Sequence, residues 1–505
     1  MCADIRLFPG NPNDANREYL PEGIKGSNMV VNENGNNSQP YPVGLLECHG
    51  TIADQVEDTW YEYVPASYQG DKKVPLVFSM HGGLMSGWGQ AVYTCWVQVA
   101  EREGFIVVFP NASKRRVWTI EIEAKKRAAI TTPNEENAYL NAPPDDIADN
   151  HDIRFVLGLM EHIKSKYKID ETRVFMQGMS MGDLMTSQFT RHYGYLLAGS
   201  AGSGAPVDPG LLFSEDGQIR NAGGGVDIWQ SRLELDAVAP HYHMETQQVV
   251  AKNLAYWKTV NQCEPIPQIK IIGEKNLAFF NGKAGHVVLC DVKNRDHGQT
   301  FDDAELVWDY LFSGASRGAD GSIQHGETLL PRTGDTWALA AATDRSQVFF
   351  RNRLVAMDAP AIKHQKLKYH GLNGDSVVRD EYICVPLTMI AHVFGAELTF
   401  FDEGLSAELT LSTGVKLQIA RGNIGCIVDG KVESMYCEAI WRGGFLYISL
   451  AWFCRRMYNM HVSICDGVLY ATDHDAQLSL NMAVLINELL QGKPQDATTA
   501  VEGEQ

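Results

Sequence analysis

The 505-residue sequence has no long uninterrupted apolar run, no excess of basic residues and no Cys-x-x-Cys pair. Without a run of about 18 apolar residues, a membrane-spanning helix is not expected. The formal net charge of −19 argues against nucleic acid or an anionic membrane as a partner, because like charges repel. The ten cysteines are scattered singly, which argues against a zinc site or a thioredoxin-like motif. We therefore expect no metal and no cofactor.

The first residues, Met1–Gly10, carry an acidic residue near the start and no apolar core, so they are not typical of a secretory signal peptide. With Met1 as the native start, a cytoplasmic location is expected. The chain is longer than one hydrophobic core usually holds, so two or more domains are expected. Composition and turn signals predict an irregular lead-in at 1–43, an α/β domain at 44–314, a linker at 315–343, a smaller α+β domain at 344–490 and a disordered tail at 491–505.

Strand-like and helix-like runs alternate through the larger domain. Apolar runs typical of buried strands lie at 59–64, 74–80, 105–109, 174–176, 226–233 and 286–289. Apolar residues recur at helical spacing in 153–163, 246–260 and 302–312. This alternation predicts a mostly parallel sheet flanked by helices.

The smaller domain contains an internal repeat. Ile383–Ala391 resembles Leu446–Cys454, and each segment is followed by an alternating, strand-like run. Each unit therefore has the pattern strand, short helix, strand. A duplicated unit of this kind predicts a separate α+β domain with internal duplication.

The segment Gly178-Met179-Ser180-Met181-Gly182 stands where an apolar strand gives way to a helix. Such a Gly-x-Ser-x-Gly turn is so tight that side chains at its glycine positions would clash with neighbouring backbone. The turn lifts the serine hydroxyl above the sheet edge. Ser180 is therefore the predicted nucleophile.

A serine hydroxyl is a poor nucleophile near neutral pH, so it needs an imidazole base and an acid that orients the base. His297 fits the base, because it lies between a predicted strand and the last predicted helix of the domain. Asp236 is the best candidate for the acid, since it follows a predicted strand and lies between nucleophile and base in sequence. Glu234 is its main rival, because alternation puts it on the same side of the strand, and Asp208 is a weaker one.

An oxyanion formed at the reacting carbonyl needs two hydrogen-bond donors. The backbone N–H of Met181 is one candidate, because it follows the nucleophile. Gly83 or Leu84, in the turn after the predicted strand 74–80, is expected to supply the second. Trp88 and Trp118 are candidates for lining a substrate pocket.

Three other histidines are weaker candidates for the base and have other interpretations. His241 and His243, with Glu245 nearby, could bind a metal ion, but a convincing third ligand is missing. His286 starts a predicted strand, where a structural role is expected.

Taken together, these stretches resemble the polyhydroxybutyrate depolymerase and feruloyl esterase family of α/β-hydrolases. The matching segments are 60–65, 74–83, 104–110, 167–182 and 296–298. The resemblance implies a secreted esterase that acts on plant-wall feruloyl or acetyl esters, or on polyesters, and so an extracellular location. It also assigns the family's serine, aspartate and histidine to Ser180, Asp236 and His297.

The sequence departs from the usual family pattern at two places. Asp183 stands where the family usually carries a glycine after the serine turn. Ser231–Glu234 stands where the family favours a His-Gly-like turn before the acid.

The smaller domain resembles the copper amine oxidase N-terminal-like domain that is added to many bacterial surface proteins. The resemblance rests on Arg351–Val355 and on Val385–Leu387, which opens a predicted helix. It implies attachment to a cell surface or polysaccharide, or a role in bringing substrate close. It does not imply copper, because no His, Cys or Met cluster at ligand spacing is present.

The leading hypothesis is a serine carboxylic-ester hydrolase that forms an acyl-enzyme on Ser180, with an ester as its partner. One alternative is a catalytically silent binding or surface-attachment protein that keeps the hydrolase scaffold. A serine peptidase on the same fold is a second alternative.

Overall fold

The structure is a computed structural model that describes residues 44–133, 140–368 and 377–492. The chain divides into two compact units. The first consists of the described residues up to Glu264 together with Phe279–Arg332, and the second of Pro265–Ala278 together with the described residues from Thr333 onward. The predicted lead-in at 1–43 and the tail from residue 493 lie outside the described residues.

The first unit contains strands and helices in regular alternation. Its strands are β1 (Leu46–Gly50), β2 (Asp58–Tyr63), β3 (Val74–Met80), β4 (Ile106–Pro110), β5 (Ile169–Met179), β6 (Gly199–Ser203), β7 (Asp227–Leu233), β10 (Val287–Val292), β11 (Ala315–Arg317) and β12 (Ile323–His325). Two further strands lie between β7 and β10 in the chain: β8 (Gln268–Ile272) belongs to the second unit, and the division between the units falls within β9 (Lys275–Phe280). The helices of the first unit are α1 (Gly87–Tyr93), α2 (Trp96–Glu103), α3 (Ala124–Thr131), α4 (His151–Lys166), α5 (Met181–Tyr193), α6 (Pro209–Leu212), α7 (Thr246–Val260) and α8 (Asp303–Tyr310).

The main sheet of this unit has its strands in the order β1-β2-β4-β3-β5-β6-β7-β10. The six strands from β4 to β10 in this order pair in parallel, whereas β1 and β2 pair antiparallel at one edge. The central strands β4, β7 and β10 are buried along their whole length, as expected for a parallel sheet that is covered on both faces. The predicted fold class, an α/β-hydrolase sheet flanked by helices, is confirmed.

The order of the strands places the ends of β5, β7 and β10 at the same edge of the sheet. Parallel strands share one direction, so the residues that follow them meet at the carboxyl edge, where α/β proteins bind ligands. The segments after these three strands carry Ser180, Asp236 and His297.

In the residues that the structure describes, the second unit contains three antiparallel sheets and three α-helices. In chain order its remaining strands are β13 (Leu339–Ala342), β14 (Gln347–Phe350), β15 (Arg353–Ala356), β16 (Ile362–Lys368), β17 (Val377–Pro386), β18 (Glu397–Phe401), β19 (Ser406–Thr410), β20 (Lys416–Ala420), β21 (Gly425–Val428), β22 (Lys431–Ser434), β23 (Ile440–Arg442), β24 (Phe445–Ser449), β25 (His461–Cys465) and β26 (Val468–Thr472). The helices are α9 (Leu387–Phe394), α10 (Leu450–Tyr458) and α11 (Leu480–Leu490). The sheets have the orders β15-β14-β13-β26-β25, β16-β17-β24-β23 and β18-β19-β20-β21-β22.

The predicted duplication is confirmed in this unit. The segments β17-α9-β18 and β24-α10-β25 each form a strand, a short helix and a strand, and β17 pairs antiparallel with β24. Helices α9 and α10 pack into one apolar core, in which the rings of Phe394 and Phe453 meet edge to face with centroids 5.1 Å apart. Neither repeat therefore has a core of its own.

The predicted linker at 315–343 differs from the structure. That stretch contains β11, β12 and β13, and the division between the units falls after Arg332. The second unit also includes Pro265–Ala278, which local pattern assigned to the first. The physical reason is a long-range contact: the buried carboxylate of Asp335 accepts hydrogen bonds from Ile271 N (2.9 Å) and from the Tyr470 hydroxyl (2.8 Å).

Among the described residues, no helix has both the length and the apolar character needed to cross a membrane.

Candidate active site

Ser180 occupies a strained turn between β5 and α5. Its backbone angles are φ 56° and ψ −120°, which residues with a side chain rarely adopt. A Cβ placed on Gly178 would lie 2.0 Å from Gly182 O, and one placed on Gly182 would lie 2.2 Å from Met80 O. Glycine at both positions is therefore a steric requirement of this turn.

The turn brings Ser180 into hydrogen-bond contact with the predicted base. His297 Nε2 lies 2.7 Å from Ser180 Oγ, and His297 Nδ1 lies 3.1 Å from both carboxylate oxygens of Asp236. An ionised carboxylate only accepts hydrogen bonds, so Nδ1 carries the proton and Nε2 accepts from the serine hydroxyl. This is the tautomer that a general base next to a serine needs.

The surroundings of His297 favour its protonated form relative to a free imidazole. The hydrogen bond to Asp236 raises the pKa of His297, the charges of Asp236, Asp296 and Asp183 act in the same direction, and partial burial opposes them. The His297 side chain is 43% exposed and that of Asp236 is 13% exposed. The imidazole can therefore exchange protons with a bound molecule while its acidic partner is largely shielded from water.

The two rival acids have other partners. The Glu234 carboxylate accepts hydrogen bonds from Asn294 N (2.9 Å) and from Lys293 Nζ (3.2 Å). Asp208 caps α6 by accepting from Gly210 N and pairs with Lys126 Nζ at 2.6 Å. Of the three candidate acids, the structure brings Asp236 to His297.

The turn after β3 lies close to the residue that follows the serine. A Cβ placed on Gly83 would come within 3.0 Å of Met181 Cγ, so the turn after β3 lies against the start of α5. No acceptor for the N–H of Gly83 or of Met181 is found within the part of the chain that the structure describes. The N–H of Leu84, by contrast, donates to Arg116 O at 2.8 Å, so Leu84 does not fit the role of oxyanion donor. The geometry is consistent with Gly83 and Met181 as the donor pair.

A buried histidine that the sequence reasoning missed supports the Gly82–Gly83 turn. Ala112 N donates to His81 Nε2 (2.9 Å), and the opposite ring nitrogen, Nδ1, donates to Gly82 O (2.6 Å). Burial lowers the pKa of His81 to about 4, so its ring is neutral and can both accept and donate. The partner Ala112 lies beyond the next strand, so no local pattern could have revealed this role.

Trp118 is a support of the same turn and does not line a pocket. Its side chain is completely buried, its ring packs on His81 with centroids 4.9 Å apart, and its indole N–H donates to His81 O at 2.8 Å. A side chain with no exposed surface cannot touch a substrate, so the prediction for Trp118 is wrong in this respect. Trp88 lies on α1 and is partly exposed, so its predicted pocket role stays a prediction.

An apolar pocket of about 170 Å³ lies beside Met181. Segments from 120–123, α3, α5 and the residues around 240 contribute to it. Its lining includes Ile120, Ile122, Leu140, Met181, Leu184, Val207 and Tyr242. His241 also lines this pocket, and no group of three or more residues with metal-ligand geometry occurs in the described residues.

The strand order, the strained serine turn and the Ser–His–Asp hydrogen bonds define the first unit as a protein of the α/β-hydrolase fold with a serine-hydrolase constellation. A scan against protein-family models gave no match. The chain is 22% identical to feruloyl esterase B of Piromyces equi over 262 residues, which cover 49% of this chain and 43% of that protein. It is 27% identical to the bifunctional acetylxylan esterase/xylanase XynS20E of Neocallimastix patriciarum over 113 residues, or 22% of this chain and 13% of that protein. The matches thus span less than half of either relative.

Solved structures give similar matches. An acetyl xylan esterase from Aspergillus awamori is 15% identical, with a TM-score of 0.36, over 53% of this chain and 98% of that one. A thermostable esterase is 18% identical, with a TM-score of 0.31, over 50% of this chain and 55% of that one.

Proposed function

We propose that the chain is a serine carboxylic-ester hydrolase. The observation that carries the proposal is the placement of Ser180 Oγ, in a strained turn, 2.7 Å from the nitrogen of an imidazole that Asp236 orients. A serine placed in this way is activated by the base next to it. The relatives named above are esterases by description, which is consistent with this reaction.

In the proposed reaction, Ser180 Oγ attacks the ester carbonyl while His297 Nε2 takes the hydroxyl proton. The carbonyl oxygen becomes an oxyanion that accepts hydrogen bonds from the N–H groups of Gly83 and Met181. One such donor typically contributes about 2.7–4 kcal/mol to lowering the barrier. His297 then gives the proton to the leaving alcohol, and Ser180 keeps the acyl group. Water, deprotonated by the same imidazole, then attacks the acyl carbon; the bond to Ser180 Oγ breaks, and the imidazole returns the proton to Oγ as the acid leaves.

The pocket beside Met181 supports an ester with an apolar acyl or alcohol group. About 10–15 Å³ of such space holds one water molecule, so a pocket of this size accommodates a group of roughly ten non-hydrogen atoms. An acetyl group leaves most of that space empty. We therefore place plant-wall phenolic esters first among the candidate substrates, with acetyl esters and polyesters as the alternatives.

The role of the second unit is a separate proposal. The resemblance to copper amine oxidase N-terminal-like domains points to attachment to a surface or polysaccharide, or to a role in bringing substrate close. Binding of the full chain to insoluble plant-wall polysaccharide tests this role, and a full chain that stays in solution contradicts it.

The direct test of the reaction is the Ser180→Ala variant of the full chain. We expect the wild type to hydrolyse short aryl esters and to be labelled by a fluorophosphonate, and we expect the variant to do neither. Hydrolysis that survives in the variant contradicts the assignment of Ser180. A folded wild type that takes no label instead supports a silent binding protein, and amide cleavage without ester preference supports a peptidase. A panel of feruloyl, acetyl and hydroxybutyrate esters then ranks the substrate classes.

A further inference from the structure

A buried ion pair lies directly beneath the candidate active site. Asp183 follows Ser180 by three residues, in the first turn of α5, and Arg232 lies near the end of β7, four residues before Asp236. Arg232 NH1 lies 3.1 Å from Asp183 Oδ2, and the two side chains are 5% and 6% exposed, respectively. These are the two regions in which the sequence departs from the esterase pattern it resembles. The departures therefore meet in space.

Asp183 also binds the segment that follows β6. Its Oδ2 accepts a hydrogen bond from Ala205 N at 3.0 Å. A Cβ placed on Gly202 would lie only 1.8 Å from Asp183 Oδ1, so the strand end is shaped to admit this carboxylate. One carboxylate thus contacts α5, the end of β6 and the end of β7.

The β6 segment in turn contacts both the nucleophile and the residue after the base. Ser203 O accepts from Ser180 N at 2.8 Å, and Ser203 Oγ donates to Gly298 O at 3.0 Å. A Cβ placed on Gly204 would lie 2.6 Å from Gly298 O. A shift of this segment therefore moves the serine turn and the His297–Gly298 turn relative to each other.

A small polar cavity adjoins the ion pair. Asp183 and Arg232 line it together with buried residues of α5 and β7. Its volume of about 20 Å³ is enough for one water molecule. Four buried polar atoms at its wall have no hydrogen-bond partner among the described residues: Arg232 Nε, Thr186 Oγ1, Ser187 Oγ and Gln230 Oε1. A water molecule here would satisfy several of them.

A buried ion pair usually adds little net stability, because the cost of removing two charges from water offsets their attraction. It also acts electrostatically on the titratable groups around it. The titratable groups that face Asp183 are Arg232, Asp236, His297 and Tyr242, and Asp296 acts on the same imidazole. The negative charge of Asp183 favours the imidazolium form of His297.

We propose that Asp183 is a positioning residue for the hydrolytic reaction. Paired with Arg232 and bridged by one water molecule, it holds the serine turn, the β6 segment and the strand that leads to Asp236 in one arrangement, and it neutralises the buried charge of Arg232. The inference rests on the proposed function, because the reaction is what the arrangement serves. Burial raises the pKa of Asp183 to about 6 against the opposing charge of Arg232, so the ionised pair is present mainly above that pH.

The test compares Asp183→Asn, Arg232→Gln and the double variant with the wild-type full chain. Removing the carboxylate takes away a negative charge that raises the pKa of His297, so this pKa falls. We expect Asp183→Asn to reduce kcat/KM for an aryl ester about 10- to 100-fold, as displacement of a catalytic group by about 1 Å does. We also expect the acid limb of its pH profile to move to lower pH. The double variant, which leaves no buried charge unpaired, should recover part of the lost kcat/KM.

The matched control is Asp227→Asn, at the opposite end of β7. This buried carboxylate accepts hydrogen bonds from His286 N (2.7 Å) and His325 Nε2 (2.9 Å), so its loss costs stability but does not touch the site. We expect its pH profile to match that of the wild type. A profile of Asp183→Asn that also matches the wild type, or a double variant no better than the single one, overturns the proposal.

A second readout does not need turnover. The NMR titration of the His297 ring, assigned by its loss in His297→Asn, should show a lower pKa in Asp183→Asn than in the wild type. If the wild-type chain shows no Ser180-dependent hydrolysis, the proposed function fails, yet this titration still tests the charge effect. If the His297 titration is the same in Asp183→Asn and in the wild type, the inference about Asp183 is overturned. The proposed function then still stands as long as the wild type hydrolyses the ester.

Discussion

Substitution of the acid is the strongest test of the site geometry, because three carboxylates compete for one role in sequence and the structure brings one of them to the imidazole. In Asp236→Asn the amide can donate to Nδ1, which stabilises the wrong tautomer and turns Nε2 into a donor toward Ser180. Loss of the orienting carboxylate in a serine triad lowers kcat about 10⁴-fold. At about 1.36 kcal/mol for each tenfold step, the barrier rises by about 5.4 kcal/mol.

The pH dependence of Asp236→Asn provides a second, independent test of this prediction. The imidazole must be neutral to accept the serine proton, so activity falls as the pH drops through the pKa of His297. The hydrogen bond to Asp236 is the largest cause of the raised pKa of His297. Its removal therefore moves the acid limb of kcat/KM to lower pH, even as the plateau falls.

Asp296→Asn is the matched control for this experiment. Asp296 is exposed and adjacent to His297 in sequence. Its substitution therefore removes a charge of the same sign but leaves the hydrogen bond between Asp236 and His297 in place. Stopped-flow or steady-state hydrolysis of an aryl ester across pH 5–9 (roughly the range in which an imidazole titrates) should show Asp296→Asn within about threefold of wild type, as surface charges have small effects. Retention of activity by Asp236→Asn, together with a large loss in Glu234→Gln, refutes the assignment of the acid.

Three further outcomes are expected. Ser180→Gly should be more stable than Ser180→Ala by about 1–2 kcal/mol in chemical denaturation of the full chain, because both variants lose the hydroxyl but glycine alone relieves the positive φ. Equal stability of the two variants would argue against strain at this turn. His81→Phe should destabilise the protein by about 1–3 kcal/mol, because Ala112 N loses its hydrogen-bond acceptor. It should also lower kcat more than it raises KM, because the Gly82–Gly83 turn loses its support. Thermal unfolding measures the first effect and steady-state kinetics the second. Leu184→Trp should lower kcat/KM for a feruloyl ester at least tenfold more than for an acetyl ester, since a clash in an apolar pocket costs about 1–3 kcal/mol. An equal loss for both substrates would mean that the acyl group binds elsewhere.

The sequence predicted the parts of the site that depend on the order of elements along the chain. Ser180, Asp236 and His297 each follow a strand of a parallel sheet, and parallel strands bring such residues to one edge. The structure places all three in hydrogen-bond contact, although their catalytic roles remain predictions until a variant is measured. The same logic recovered the duplication in the second unit, because β17-α9 and β24-α10 repeat a local pattern.

What the sequence could not provide depends on contacts between distant residues. The choice between Gly83 and Leu84 rests on whether Arg116 O accepts the Leu84 N–H, and no periodic pattern encodes that contact. Trp118 occurs in a segment where an aromatic side chain can either line a pocket or support a turn, and its packing on His81 decides the matter. The division between the units failed for the same reason, since Asp335 binds a segment more than sixty residues earlier in the chain.

The structure also explains why position 183 cannot be considered alone. Asp183 N donates to Ser180 O at 2.8 Å, so this residue closes the first turn of α5 behind a nucleophile held at positive φ. Its side chain meanwhile pairs with Arg232. Asp183→Gly, which introduces the residue usual in the esterases that the sequence resembles, leaves a buried guanidinium without its carboxylate, with Ser231 O as its remaining acceptor, and weakens the helix start. The glycine should therefore be tolerated only together with a neutral residue at position 232, and the two positions should show a non-additive effect of about 0.5–3 kcal/mol in a double-mutant cycle of stability.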